Sequence, residues 1–438
     1  MNERTRTSLS RRNFLAASAS AFAFSIVPSH VLGADAPSNK VNLAGVGVGG
    51  MGRGYLEGCS SENVIALCDV DANYAAGTFK QYPKAKIYTD YRRMLDAEPG
   101  IDGVVIGTPD HTHAVIALQA MKMGKHVYCA KPLTRTVYES HLLRETARET
   151  GVATQMSVQS DANESQRMLC EWIWGGAIGK VREVHVWSDR PIWPQGLDRP
   201  KDTPAVPKGL DWDLWLGPAP HRPYHPIYVP FKWRGWWDFG TGALGDMGCH
   251  AFAHIAKVLK LGHPTAVHAS SSKLFKETAP AASIVHWDFP ARGDMPAVRV
   301  NWYDGGLRPE RPAGLEDNRQ LGSEGLIWIG GEGAIVGGFT GGGSRLIPER
   351  RMKDFSPPPK SLARSIGHYK EWCQACKGGP AAGCSFEFGG LLTQVVLLGN
   401  IAIRRQHNLL WDGEHMRFTN DDEANELLHA PYRDGWTL

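Results

Sequence analysis

Apolar positions along the chain follow two rhythms. Between residues 41 and 157, short apolar runs at 41–46, 64–68, 103–107, 126–130 and 152–157 alternate with stretches of helical spacing at 53–60, through 123 and at 136–150. Strand and helix taking turns in this way predict a doubly wound parallel sheet. From residue 181 the rhythm changes. Residues 181–190 alternate like a strand, and further strands are expected at 266–271, 282–288, 297–303 and 325–330, spaced as in an open, mostly antiparallel sheet, with helices at 365–377 and 389–406. Ten prolines between Pro191 and Pro230 exclude a regular sheet interior and predict a long ordered loop laid over the active-site face. The triplet Pro357-Pro358-Pro359 marks an extended connector. The expected fold class is α/β, with a Rossmann-type domain over 37–160 and an α+β domain over 161–438.

Residues 1–36 stand apart from this pattern. Ser10-Arg11-Arg12-Asn13-Phe14-Leu15 precedes an apolar stretch ending at Val27, too short to span a bilayer, and Ala34-Asp35-Ala36 fits a small-residue cleavage site. The expectation is a twin-arginine signal peptide, cut after Ala36 or Ala34, and a periplasmic or otherwise exported protein without a stable membrane anchor. That route carries folded proteins, which suits an enzyme that loads its cofactor in the cytoplasm. Without those residues the chain has 402, enough for two domains, with 44 basic and 43 acidic side chains. So even a balance points to no nucleic-acid partner. The eight cysteines carry no spacing that demands disulfides, and Cys373-x-x-Cys376 with Cys384 lacks a nearby fourth metal ligand.

The turn Gly47-Val48-Gly49-Gly50-Met51-Gly52 follows a strand, opens a helix and has Asp69 twenty positions after Gly49. In that setting it predicts a dinucleotide site. Gly47 permits the tight turn, Gly49 lets the backbone approach the pyrophosphate, Gly52 allows close helix packing, and the helix start offers N–H groups to the phosphates. Asp69 would accept from the adenosine ribose hydroxyls and repel a 2′-phosphate, favouring NAD over NADP. Ligands of open parallel sheets lie beyond the carboxyl ends of the strands, where both Thr108-Pro109 and Lys131 fall.

Taken in order, the glycine turn, Thr108-Pro109-Asp110-His111-Thr112-His113, Ala130-Lys131-Pro132, Gly176-Ala177-Ile178-Gly179-Lys180, the run Gly242-Ala243-Leu244-Gly245-Asp246-Met247-Gly248-Cys249-His250 and Leu398-Gly399-Asn400 resemble the family of glucose-fructose oxidoreductase, inositol dehydrogenase and MocA. The resemblance covers nearly all of the chain after residue 36, and similar exported proteins form a branch of that family. It implies a nucleotide-binding domain joined to an open-sheet domain that commonly makes a homo-oligomer interface. Two positions depart from the pattern: Ala130 stands where the family usually has glutamate, and Ala253, followed by His254, where several relatives have aspartate.

Hydride transfer from a secondary alcohol needs the carbinol carbon held against a nicotinamide and a group to take the hydroxyl proton. Lys131 and His250 are the candidates, and Asp246, four residues before His250, shares its helical face and can orient substrate or imidazole. Lys131 is expected to polarise the reacting oxygen, and His250 to accept or relay the proton. His111 and His113 are expected in a loop bordering the nicotinamide. Asp246, His250 and His254 could offer metal ligands from one face, but all three come from one helix, and no metal is expected. Seven tryptophans fall between residues 187 and 237. Most are expected to pack, while Trp233, Arg234, Trp236 and Trp237, with His254, are the candidates to meet a substrate, since aromatic faces suit sugar rings.

Three functions follow from this reading. The first is an exported oxidoreductase with tightly retained NAD, acting on a sugar, glycoside or cyclitol. The second is an NAD-dependent glycosidase that oxidises, eliminates and re-reduces, as the similar exported α-N-acetylgalactosaminidases do. The third is a non-catalytic carbohydrate-binding protein.

Overall fold

In the computed structural model residues 39–438 are described, so the expected signal segment lies outside the described residues. Six parallel strands build the first sheet: β1 (Asn42–Val46), β2 (Asn63–Cys68), β3 (Lys86–Tyr88), β4 (Gly103–Ile106), β5 (His126–Cys129) and β6 (Thr154–Met156), in the order β3-β2-β1-β4-β5-β6. The helices between them are α1 (Met51–Gly58), α2 (Ala72–Gln81), α3 (Tyr91–Ala97), α4 (Asp110–Lys122) and α5 (Val137–Thr150). Their ends follow local chemistry. The Asp71 side chain accepts from the backbone N–H groups of Asn73 and Tyr74 to start α2, while Thr136 and Glu139 cap α5 reciprocally before Gly151 ends it in a left-handed conformation. Chain order reverses between β1 and β4, and that switch is where an open α/β sheet leaves a crevice.

After α6 (Glu164–Trp174), β7 (Val181–Trp187) begins the second sheet. Two helices, α7 (Trp212–Leu216) and α8 (Gly242–Leu259), precede β8 (Ala266–Ser271), β9 (Ser283–Phe289), β10 (Val298–Tyr303), β11 (Gly325–Gly330), β12 (Gly333–Gly337) and β13 (Arg345–Ile347). Then come α9 (Glu349–Asp354), α10 (His368–Cys376), α11 (Phe386–Arg405), β14 (Leu409–Asp412), β15 (Arg417–Phe418) and α12 (Asp422–Glu426). The nine strands lie in the order β13-β12-β11-β7-β10-β9-β8-β14-β15, antiparallel at every junction except β7 with β10. Along β9, Ser283, Val285, Trp287 and Phe289 are buried and the residues between them only half-buried. The alternation gives the sheet one core face, which α11 and α8 cover, and one open face.

The two halves interlock. α11 packs on α5 as well as on α8 and β8, and Trp372 of α10 is fully buried in a cluster with Leu43, Val105 and Tyr128 of the first sheet. α11 is long and apolar enough to cross a membrane, but 83% of its apolar window is buried within the fold.

Residues 188–241 are ordered largely without strands, as the prolines predict, because they carry a core of their own. Trp212 and Trp215 stack with centroids 4.7 Å apart, and Tyr228 packs edge-on to Trp236 and Phe239. A tryptophan burying about 200 Å² contributes roughly 5 kcal/mol, so these aromatic rings offset part of the ordering entropy of the segment. Arg222, buried, pairs with Asp238 and lies 4.7 Å over the Phe239 ring. His111 clamps this segment to α4, its Nε2 2.9 Å from the Trp215 carbonyl oxygen and its Nδ1 3.3 Å from that of Phe239.

Candidate active site

A cavity of about 570 Å³ opens at the switch between β1 and β4, walled by the glycine turn, the ends of β4 and β5, the 188–241 segment and α8. The turn has the geometry a dinucleotide needs. Gly47 has φ +74°, and a Cβ on Gly52 would stand 2.0 Å from the Gly47 carbonyl oxygen, so neither position accepts a side chain. Gly47, Gly49, Gly50 and Met51 line the cavity; Gly52 sits behind them as the packing contact.

Asp69 also lines it, and its carboxylate does more than the sequence suggests. Oδ2 accepts from the N–H groups of Val48 and Gly49, and Oδ1 from that of Asp71, so it braces the turn and keeps about one of its four acceptor sites free. Burial pushes this carboxyl up to about 6, against the pull of those N–H groups. Thr108 and Pro109 line the cavity at the end of β4, and the buried Thr108 hydroxyl has no hydrogen-bond partner among the described residues. An orphaned hydroxyl beside the glycine turn fits a polar ligand such as a nucleotide.

The chemistry-bearing group lies at the carboxyl end of β5. Lys131 Nζ donates to the Asp246 carbonyl at 2.6 Å and pairs with Asp246 Oδ1 at 2.9 Å. Arg234 Nε reaches the same Oδ1 at 2.9 Å, while its guanidinium lies within 4.4 Å of the Trp233 and Phe231 ring centroids. Burial pushes the Asp246 carboxyl up, but Lys131 and Arg234 outweigh it and hold it at about 2. Asp246 is therefore the shared counter-ion of two cations. The sequence placed it beside His250, yet no hydrogen bond joins the two: the His250 ring faces the cavity and makes none among the described residues. Burial, helped by Lys131, lowers the imidazole to about 3, which keeps it uncharged at neutral pH and disfavours its protonated form.

Several expected contacts are not brought to the cavity. His111 and His113 lie on the first turn of α4 rather than in a loop, fully buried. Each ring is held between two main-chain carbonyls, those of Trp215 and Phe239 for His111 and those of Thr108 and Pro132 for His113. The signal was present: Pro109 followed by Asp110 is a helix start. Trp236 is fully buried against Tyr228, and Trp237 faces a different cavity. His254 is fully buried; eight residues along α8 from Asp246 is about 12 Å of helix axis, too far to share its site. Trp233 and Arg234 do line the cavity, as does Trp193.

Other cavity residues escaped the sequence reading. Asp110 is buried, accepts from the Thr241 hydroxyl at 2.8 Å, and is pushed up to about 7 by burial and by the Asp246 charge. Ser157 Oγ donates to the Tyr55 hydroxyl at 3.1 Å and accepts from the Lys131 backbone N–H at 3.0 Å. These residues line the same cavity as Ala130, the position where the resembling family has its glutamate.

Comparison with known proteins agrees with this architecture. Residues 41–158 match the family model described as "oxidoreductase family, NAD-binding Rossmann fold", and residues 187–278 match that family's C-terminal alpha/beta domain. The chain is 29% identical to levoglucosan dehydrogenase of Pseudarthrobacter phenanthrenivorans over 48% of its length and 46% of that protein's. It is 31% identical to α-N-acetylgalactosaminidase of Shewanella oneidensis over 34% of its length and 36% of that protein's. Both alignments span less than half of the relative. In fold, it is similar to the WlbA dehydrogenase of Bordetella pertussis, solved with NADH and UDP-GlcNAcA, at 16% identity and TM-score 0.60, covering 85% of this chain and 99% of that one. With a glycine turn built for a dinucleotide and both domain models matched in chain order, the protein belongs to the Gfo/Idh/MocA family of oxidoreductases.

Proposed function

We propose that the protein is an exported NAD-dependent oxidoreductase that moves hydride between a nicotinamide and a secondary hydroxyl of a sugar, glycoside or cyclitol. The observation that carries this reading is Lys131 Nζ, held on Asp246 in the cavity onto which the glycine turn opens. Of the three N–H donors of the ammonium, two are spent on Asp246, and the third is left for the reacting oxygen. His250, uncharged and facing the cavity, relays the hydroxyl proton as the carbonyl forms. When bound, the nicotinamide supplies the hydride acceptor. The glycine turn and Thr108 bind it, and the Asp69 charge favours NAD over NADP. Trp193 and Trp233 offer ring faces to a sugar, and the Arg234 donors not used on Asp246 and on the Phe231 carbonyl reach its hydroxyls. Tight retention of NAD suits export by the twin-arginine route, and the open face of the second sheet is the surface for a homo-oligomer.

Similarity to an α-N-acetylgalactosaminidase favours a second reading, in which oxidation, elimination and re-reduction leave the cofactor unchanged. One experiment separates the two. The nucleotide released on denaturation is identified by mass spectrometry, and reduced-nicotinamide absorbance is followed as sugars and aryl glycosides are added. Stoichiometric reduction of exchangeable NAD supports the dehydrogenase. Aglycone release without net reduction supports the glycosidase, and no nucleotide with no redox change refutes both.

A further inference from the structure

A second cavity, of about 410 Å³, lies between the start of α5, the end of α11, the approach to α8 and the tail near residue 430. Thr241 divides it from the first: it lines this cavity, while its hydroxyl donates to Asp110 of the other.

Two guanidinium groups face it, and neither is bonded to the carboxylates of Asp238, Glu277 or Glu426 that also line it. Arg135 Nη1 donates to the Trp237 carbonyl at 3.2 Å, but its Nε and Nη2 are buried with no hydrogen-bond partner among the described residues. Arg404, exposed at the mouth of the cavity, makes no hydrogen bond or ion pair among the described residues; its guanidinium lies 5.8 Å from the Trp237 ring centroid, so the buried orphan donors are those of Arg135. Asn400, 7% exposed, donates to the Thr241 carbonyl and leaves its buried Oδ1 unpartnered. The nearby carboxylates are engaged elsewhere, Asp238 with Arg222 and Glu277 with Arg199 and Arg222. At the exposed rim, Lys276 and Glu426 offset one another. Buried guanidinium donors are rarely left unpaired, and a planar fork of donors matches a carboxylate or phosphate.

We propose that this cavity is a binding site for a sugar-sized organic oxyanion, its carboxylate or phosphate set between Arg135 and Arg404 and its body against Trp237 and Asn400. The volume decides against a bare inorganic anion, which would leave most of the space unfilled. The site is separate from hydride transfer and stands whether or not the activity proposed above is correct.

The test is calorimetric titration of the purified full protein, at low ionic strength, with inorganic phosphate, D-gluconate and D-glucose 6-phosphate. One organic anion is expected to bind once per chain, more tightly than phosphate. Arg135→Gln and Arg404→Gln should each weaken it about tenfold or more, and Lys131→Met should leave it unchanged, placing it outside the first cavity. Binding that survives the double arginine replacement, or equal binding of all three anions, overturns the proposal, as does no binding by any. Should the arginine variants fail to fold, phenylglyoxal labelling of the wild type reads the site directly. The bound anion is expected to protect Arg404, and protection without any anion would reassign the surface to a subunit contact and overturn the site.

Discussion

Replacing Asp246 by asparagine keeps the side-chain volume and removes the charge that Lys131 and Arg234 share. Asp246 is 8% exposed, with Oδ1 2.9 Å from both cationic nitrogens. At an effective dielectric near 20, each contact carries roughly 6 kcal/mol of attraction before desolvation. Burial cancels most of that. What remains is the fall of the carboxyl from 3.8 to about 2, which at about 1.4 kcal/mol per pH unit is about 2.4 kcal/mol. Because the folded value is depressed, this stability is complete above pH 3.8 and is lost as pH falls towards 2. Asp246→Asn should therefore lower the urea unfolding free energy by about 2–4 kcal/mol at pH 7, close to the cost of stripping one partner from a buried pair. With the ammonium unanchored, kcat should fall at least about 100-fold, since small displacements of a positioned group are costly, while the nucleotide stays bound. A variant with wild-type unfolding midpoint and kcat would refute the shared counter-ion.

Three further outcomes follow from the same geometry. Lys131→Met should lower kcat by about a thousandfold or more while the nucleotide still co-purifies, read by single-turnover absorbance and mass spectrometry; unaltered turnover would remove the lysine from the chemistry. Gly52→Ala drives a methyl to within 2.0 Å of the Gly47 carbonyl oxygen, so the turn must open and released nucleotide should fall below a tenth of wild type. Asp110 has its folded value raised from 3.8 to about 7, so its carboxyl costs the native state up to about 4 kcal/mol as pH rises from 4 through 7. Asp110→Asn, which keeps the acceptor for Thr241, should be more stable than wild type in urea at pH 8 and equal to it at pH 4.

Much of the nucleotide half can be read from the chain because its determinants are local. Strands β1, β2, β4 and β5 fall within a residue or two of their apolar runs, and Gly47 and Gly52 are required by a backbone conformation and a contact made within one turn. The second half is legible where alternation is clean, as in β9 and β10, or where a short run of strand-forming residues stands between turn residues, as in β8 and β11. β12, β13 and α6 were missed. β12 and β13 are short and rest on a neighbouring strand for their definition, and α6 buries one face against partners the sequence does not name. The parallel pairing of β7 with β10 joins strands more than a hundred residues apart, which no local pattern announces.

The same division governs the site. Lys131, Thr108 and the glycine turn were found because an open parallel sheet delivers the carboxyl ends of its strands to one crevice. The pairing of Asp246 with His250 is not formed, because spacing along a helix names only neighbours on that helix. Four residues separate Asp246 from His250, but the cations that hold its charge come from the end of β5 and from the 188–241 segment. A carboxylate buried between two cations gains more from them than from an uncharged imidazole, so long-range electrostatics overrides the local pair. His111 and His113 fail for the opposite reason. Their chemistry suggests function, but each ring is spent on main-chain carbonyls that fasten the 188–241 segment and the Lys131-Pro132 turn to α4. Those histidines hold the wall of the cavity in place, and so support the site without touching what enters it.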